Sequence, residues 1–254
     1  MSAWGARRQL TFFFFILFTL AVEAGAALWW FWPRPSCHDG RVNQDERGVD
    51  CGGVCPSVCP FEVKPVKVFW SRVLPLGVGA YDLAALGENP NSDFALVDVS
   101  YSLRYVDQNN LFINRVKGVL SLAPRERRAL FVSNIDVGRR VPARAFLDFT
   151  TTPVWQRLTD KPELATSGPN FVNAPTPLLR ANLKNSSLTD YRNLEVTTVL
   201  SDERRNAFAA SATIVESLPV GETREISFSW PRPFPVEPTF IDLYPHAAFR
   251  RDVN

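Results

Sequence analysis

The sequence predicts an all-β protein that hangs from a single N-terminal transmembrane helix. A small cysteine-rich module follows the helix, then two tandem immunoglobulin-like β-sandwich domains. Three observations predict this. An apolar run of 23 residues, Leu10 to Trp32, opens the chain. All four cysteines fall between Cys37 and Cys59. From Phe61 onward apolar residues alternate with polar ones, and the order of elements recurs about 96 residues later. Hydrophobic residues at 46% and charged residues at 21% exclude wholesale disorder. A net charge of +2 leaves no overall electrostatic footprint for nucleic acid. The 20 prolines and the absence of long helical patterns after the opening run lean toward strands.

The helix comes first, after a cytoplasmic tail at residues 1–9. Residues 10–32 read LTFFFFILFTLAVEAGAALWWFW, long enough at about 1.5 Å per residue to cross a hydrocarbon core of about 30 Å. Arg7 and Arg8 precede it, and positive charge stays on the cytoplasmic side, so the remaining mass lies outside. Trp29, Trp30 and Trp32 mark the far interface, where indole rings settle, and Pro33 and Pro35 stop the helix. Glu23 is an intramembrane charge and costs about 2.5–3.5 kcal/mol on insertion scales, which the Phe and Leu residues offset. A rival reading is a cleaved signal peptide, with Leu10 to Val22 as its apolar region and Ala24-Gly25-Ala26 as its cleavage site. Both readings place the rest of the chain extracytoplasmically.

Residues 33–60 form the cysteine module, with spacing C-x13-C-x3-C-x3-C. Outside the cytoplasm an even cysteine count in a short, loop-rich segment implies disulfides among Cys37, Cys51, Cys55 and Cys59, with three pairings open. So short a segment buries little, and covalent bridges supply its order. A zinc site using the cysteines and His38 is the rival, disfavoured by spacing and by an oxidising compartment. The loop also holds oxygen ligands. Asp39, Asn43, Asp45 and Asp50 could wrap one structural calcium ion, with Glu46 nearby. The competing reading gives these residues to turns, which Asp, Asn and Gly favour.

The string from Cys37-x-Asp39-Gly40 through Asn43, Glu46 and Gly48-Val49-Asp50-Cys51-Gly52-Gly53 to Cys55 resembles a cysteine module of bacterial surface proteins, C-x-DG-x-x-N-x-x-E-x-GVDCGG-x-C-x-x-C. The likeness departs at the end, where three residues rather than two separate Cys55 from Cys59. It implies an exported protein and no catalytic activity.

Residues 61–151 read as the first sandwich, 152–177 as a linker and the start of the second, and 178–254 as the second sandwich. The clearest strand is Val97 to Tyr105, where Val97, Val99, Tyr101, Leu103 and Tyr105 alternate with polar residues. Asp107 to Asn110 form a turn, Leu111 to Leu122 return, Ala129 to Val132 start another strand, and Pro142 to Phe149 close the set. Asn89, Val97-Asp98-Val99, Leu122, Pro124, Glu126 and Leu130 find counterparts in Asn185, Leu194-Glu195-Val196, Leu218, Pro219, Glu222 and Ile226. One module has been duplicated, each copy suited to a seven-stranded sandwich. Asn89 and Asn185 are read as Asx turns, and Leu122 and Leu218 as plugs at the bottom of each copy. The phrases Tyr81 to Asn91, Val154-Trp155-Gln156 and Thr213 to Leu218 resemble a group of membrane-anchored envelope proteins of candidate-phyla bacteria. More remotely, each copy is similar to late-embryogenesis and FxLYD-type sandwich domains. These resemblances imply an architecture and leave the task open.

Chemistry is sparse. The two histidines are His38 and His246, and His246 is read as a surface residue of the last strand. No G-x-S-x-G, phosphate loop or H-E-x-x-H occurs. Asp202-Glu203 reads as a solvated hairpin tip, and the clusters Arg125, Arg127 and Arg128 and Arg139-Arg140 read as strand-edge charge or a contact for anionic envelope polymers. The sequence therefore predicts a non-enzymatic protein with a structural or interaction role, an envelope protein partner, no nucleic acid and no cofactor beyond the calcium expectation. The alternative is an accessory subunit of a secretion, pilus or transport assembly, with Glu23 paired to a partner helix.

Overall fold

A computed structural model describes residues 3–31, 36–55, 57–77, 79–158 and 162–248. Two compact units divide at residue 55. In the first, helix α1 runs Ala3–Phe31. Its stretch Leu10–Trp30 is long and apolar enough to cross a membrane, and none of it is buried. After α1, a loop closes on an isolated bridge between Gly48 and Cys51. Gly53 belongs to that loop with φ +59°, and a side chain there would lie 1.8 Å from the carbonyl oxygen of Asp45. Only glycine fits so close a backbone approach.

The second unit opens with a 3-10 turn, Pro60–Glu62, and continues as strands. The first copy comprises β1 (Lys67–Gly77), β2 (Ala80–Glu88), β3 (Phe94–Val106), β4 (Phe112–Leu122), β5 (Arg127–Val132), β6 (Arg144–Phe149) and β7 (Val154–Arg157). The second comprises β8 (Leu164–Val172), β9 (Leu178–Asn185), β10 (Tyr191–Ser201), β11 (Ala207–Leu218), β12 (Thr223–Ser229) and β13 (Phe240–His246). The sheets are β1-β2-β5 and β4-β3-β6 in the first copy, and β8-β9-β12 and β11-β10-β13 in the second. Element by element the two orders are the same, as a duplicated module requires. Among the described residues each copy has six common strands. β7 is extra and pairs with β3, placing Trp155 opposite Leu96 on the first sandwich. Residues 152–177 thus hold a first-copy strand before β8 begins the second copy.

Alternation along β3 holds from Val99, with Leu103 and Tyr105 buried in the first core. Before it lies a bulge between Leu96 and Val99, with Asp98 at φ 47°. The extra residue shifts the pattern, so Leu96 rather than Val97 joins that core. The second core gathers Leu179, Leu183, Leu194, Val196, Leu200, Leu218 and Trp230.

A third apolar cluster joins the copies. Leu74, Ala84, Leu86 and Ala129 of the first meet Val199, Ala207 and Ala210 of the second. The outer face of β1-β2-β5 therefore packs on the outer face of β11-β10-β13, making a stack of four sheets. This explains β2, where Leu83 and Ala85 point into the first core while Ala84 and Leu86 point into the seam. A strand covered on both faces carries a continuous apolar run rather than an alternating one.

Candidate functional site

In the cysteine module Cys37 and Cys55 form a disulfide with Cα atoms 5.6 Å apart. Cys51 and Cys59 are disulfide-bonded as well, so all four cysteines are oxidised. A carboxylate oxygen of Glu46 lies 3.0 Å from the Cys55 sulfur, but a disulfide sulfur has neither a proton to donate nor a thiolate to offer a metal. The four candidate calcium ligands have these surroundings. Asp50 accepts the amide N–H groups of Asp39 at 2.9 Å and of Gly40 at 3.0 and 3.1 Å. Asp39 accepts from the amide of Arg41 at 2.9 Å and the side chain of Asn43 at 2.7 Å. These bonds, the Asn43 amide foremost, hold the Asp39 carboxyl below its ordinary range. The Asn43 side-chain oxygen is enclosed without a hydrogen-bond partner, and Asp45 is exposed. The turn arrangement thus occupies Asp39 and Asp50 with main-chain donors.

On α1, Trp29 and Trp30 are exposed at the C-terminal end, and Glu23 is exposed within the apolar stretch. Trp32 lies outside the described residues.

A polar constellation that the sequence does not announce lies at the rim of the seam. His246 is buried, not at the surface: β13 pairs with β10 and brings its last residue against the first copy. Its Nδ1 lies 2.7 Å from Oε1 of Glu126. The other oxygen of Glu126 accepts the amide of Ala123 at 2.6 Å. Beside them Arg128 donates to Glu195 at 2.7 Å and to the carbonyl of Ser121 at 3.2 Å. Arg72 reaches across too, donating to Asn206 at 3.1 Å and to the carbonyl of Ala207 at 3.3 Å. Burial, with Asp242 nearby, pushes the Tyr244 hydroxyl up to about 12. A legible signal existed in the small residues Ala207 and Ala210, which permit close approach of two sheets.

The paired asparagines behave as expected. Asn89 and Asn185 are both fully buried. Asn89 donates to the carbonyls of Phe94, Leu122 and Ala123, and accepts from the amide of Asn91. Asn185 donates to the carbonyls of Thr189 and Leu218, and accepts from the amide of Ser187. Asp202 ties the amides of Arg204 and Asn206 at a hairpin tip.

A cavity of about 500 Å³ lies between residues 57–66 and the β6–β7 corner. Val58, Val63, Leu96, Phe149, Pro153 and Trp155 make its wall mostly apolar. The segment that covers it is strapped down by Asn91, which accepts from the Lys64 amide at 2.8 Å and donates to the Lys64 carbonyl at 2.9 Å. A concave, mostly apolar wall with few polar groups suits an apolar moiety.

No protein-family model matches the chain, and no curated protein matches it. Among solved structures, red sea bream transglutaminase is similar over 74% of this chain and 32% of its own, with 11% identity and a TM-score of 0.23. The chain thus spans about a third of that protein's length, and a likeness so slight carries no argument about fold or activity.

Proposed function

We propose that the protein is a non-catalytic, membrane-anchored extracytoplasmic scaffold of the cell envelope. It presents two β-sandwiches as one stiff body to an envelope partner. The observation that carries this reading is the seam. Sandwiches joined only by a linker reorient freely. Here Leu74, Ala84, Leu86, Ala129, Val199, Ala207 and Ala210 form a shared apolar cluster, and Glu126 with His246 and Arg128 with Glu195 cross it. A stiff body holds its outer faces at fixed separation, as a scaffold must. The helix at Leu10–Trp30 supplies attachment, and the oxidised cysteines belong to an oxidising compartment.

The test is mass spectrometry of the full-length chain, alkylated in intact cells and purified from membranes. Oxidised cysteines and loss of the C-terminal body to protease added outside are expected. Four freely alkylated thiols would overturn the extracytoplasmic reading. One observation favours the alternative of an assembly subunit: Glu23 is exposed inside the apolar span. Replacing Glu23→Leu leaves a scaffold's membrane complexes intact on native gels and dissolves an assembly that needs the helix charge.

A further inference from the structure

We infer that the outer face of the β4-β3-β6 sheet binds a linear polyanion, a phosphate-bearing polymer of the envelope. This deepens the scaffold reading and rests on it for the partner's location. The sheet is the outermost layer of the first copy. Leu103, Tyr105, Leu120 and Ala145 face the core, so the intervening residues face away from it. Register then sets Arg104 opposite Arg115 on one side and Phe146 on the other. Lys117 and Asp148 flank Ser102, and Arg144 stands opposite Val106. The result is a band of cations crossing three strands, spaced by about 5–7 Å, the distances between same-face neighbours in a sheet.

Arg104, Arg115 and Arg144 are held by neighbours, and the band is only partly neutralised. The Arg104 guanidinium stacks 4.3 Å from the Phe146 ring and pairs with Asp148 at 2.7 Å. Arg115 lies over Phe112 at 5.8 Å. Arg144 donates to the carbonyl of Gln108 at 3.2 Å, which orients its head without cancelling its charge. Two more carboxylates, Asp107 and Asp136, stand at the strand ends and accept main-chain amides. Among the described residues no ion pair joins a carboxylate to Arg115, Lys117 or Arg144. The chain as a whole carries only +2, so this concentration is local. On the opposite outer sheet Arg180 has Glu225 at 4.0 Å. Charges spread in a band across strands complement repeated anions along an extended polymer better than one compact anion. The rings on this face lie beneath guanidinium groups, which favours a polymer over insertion into a bilayer.

The test uses the full-length chain in neutral phosphatidylcholine nanodiscs, titrated with fluorescently labelled long-chain polyphosphate. Saturable, salt-sensitive binding is expected. The triple variant Arg115→Ser, Lys117→Ser, Arg144→Ser should bind at least tenfold more weakly. Its slope of log affinity against log salt should be shallower by about 2, from about 0.7 per phosphate contact removed. The variant Arg180→Ser, Lys184→Ser on the opposite sheet should match the wild type. Melting curves confirm folding; should the triple variant unfold, Arg115→Gln and Lys117→Gln singly should each still weaken binding measurably. The proposal fails if the wild type does not bind, if the face variants bind normally, or if both sheets' variants weaken equally. It fails as well if phosphatidylglycerol vesicles, and not polyphosphate, engage the face, since the partner is then a membrane. The titration needs no cell, so it can fail while the alkylation result stands, and the reverse.

Discussion

The carboxylate of Glu126 and the imidazole of His246 meet at 2.7 Å across the seam, from residues 120 positions apart in the chain. Their side chains retain 13% and 8% exposure, so each is the other's main polar partner in a largely dry place. His246→Ala should destabilise the folded chain by about 1–3 kcal/mol, because a buried carboxylate oxygen loses its hydrogen-bond partner. Glu126→Ala should cost at least as much, because the Ala123 amide also loses its acceptor. The double variant should cost less than the two together, by about 0.5–3 kcal/mol of coupling. Urea unfolding of the four proteins measures this cycle, and strict additivity would refute the pairing.

Asn89 satisfies three carbonyls and Asn185 two. Replacing either by Ala strands buried acceptors at roughly 1–3 kcal/mol for each polar group left unsatisfied. Both Asn89→Ala and Asn185→Ala should lower the melting temperature, with Asn89→Ala the more damaging. The reverse order in calorimetry would show that the number of carbonyls held does not govern the cost.

Arg125 and Gly221 occupy the same left-handed position in the two copies, with φ of 59° and 75°. The flanking turn bond is the same too, from Glu126 to Ala123 and from Glu222 to Pro219, each at 3.1 Å. A side chain in this conformation costs about 1–2 kcal/mol. Arg125→Gly should therefore stabilise by about 0.5–1 kcal/mol once the added freedom of the unfolded chain is counted, and Gly221→Ala should destabilise by about 1 kcal/mol. Equilibrium denaturation gives both signs.

Asp82 is buried, and burial raises its carboxyl above the ordinary range although the Asn134 amide, at 2.7 Å, pulls the other way. The folded chain thus holds this proton more tightly than the unfolded one. Its contribution to stability is full below about pH 4, the ordinary carboxylate range, and is lost as pH rises through the folded value. Asp82→Asn keeps an acceptor for the amide and removes the charge. It should melt higher than wild type at pH 7 and converge with it on acidification. A gap that widens below pH 4 would reverse the assignment.

Much of this architecture was legible. Strand β3 declares itself in the alternation from Val99 to Tyr105, and the asparagine-to-glutamate spacing exposes the duplication in the sequence itself. Two things were hidden, for physical reasons. Alternation presumes one wet face, so Leu83 to Leu86, dry on both, gives no period to read. The partners of His246 and Arg128 lie 120 and 67 residues away, and no local pattern reports a contact of that reach. The outer-face cations were visible as letters, but only strand register shows that Arg104, Arg115 and Arg144 share a side.

The shared seam changes what the duplication means. The inner sheets have no outside, so cutting the chain between the halves leaves each with one bare apolar face. Deleting one copy would bare Ala84 and Leu86 or Val199 and Ala210 to water. Drift at these small alanines is constrained from both sides at once, and the two halves now stand or fall as a single inheritance.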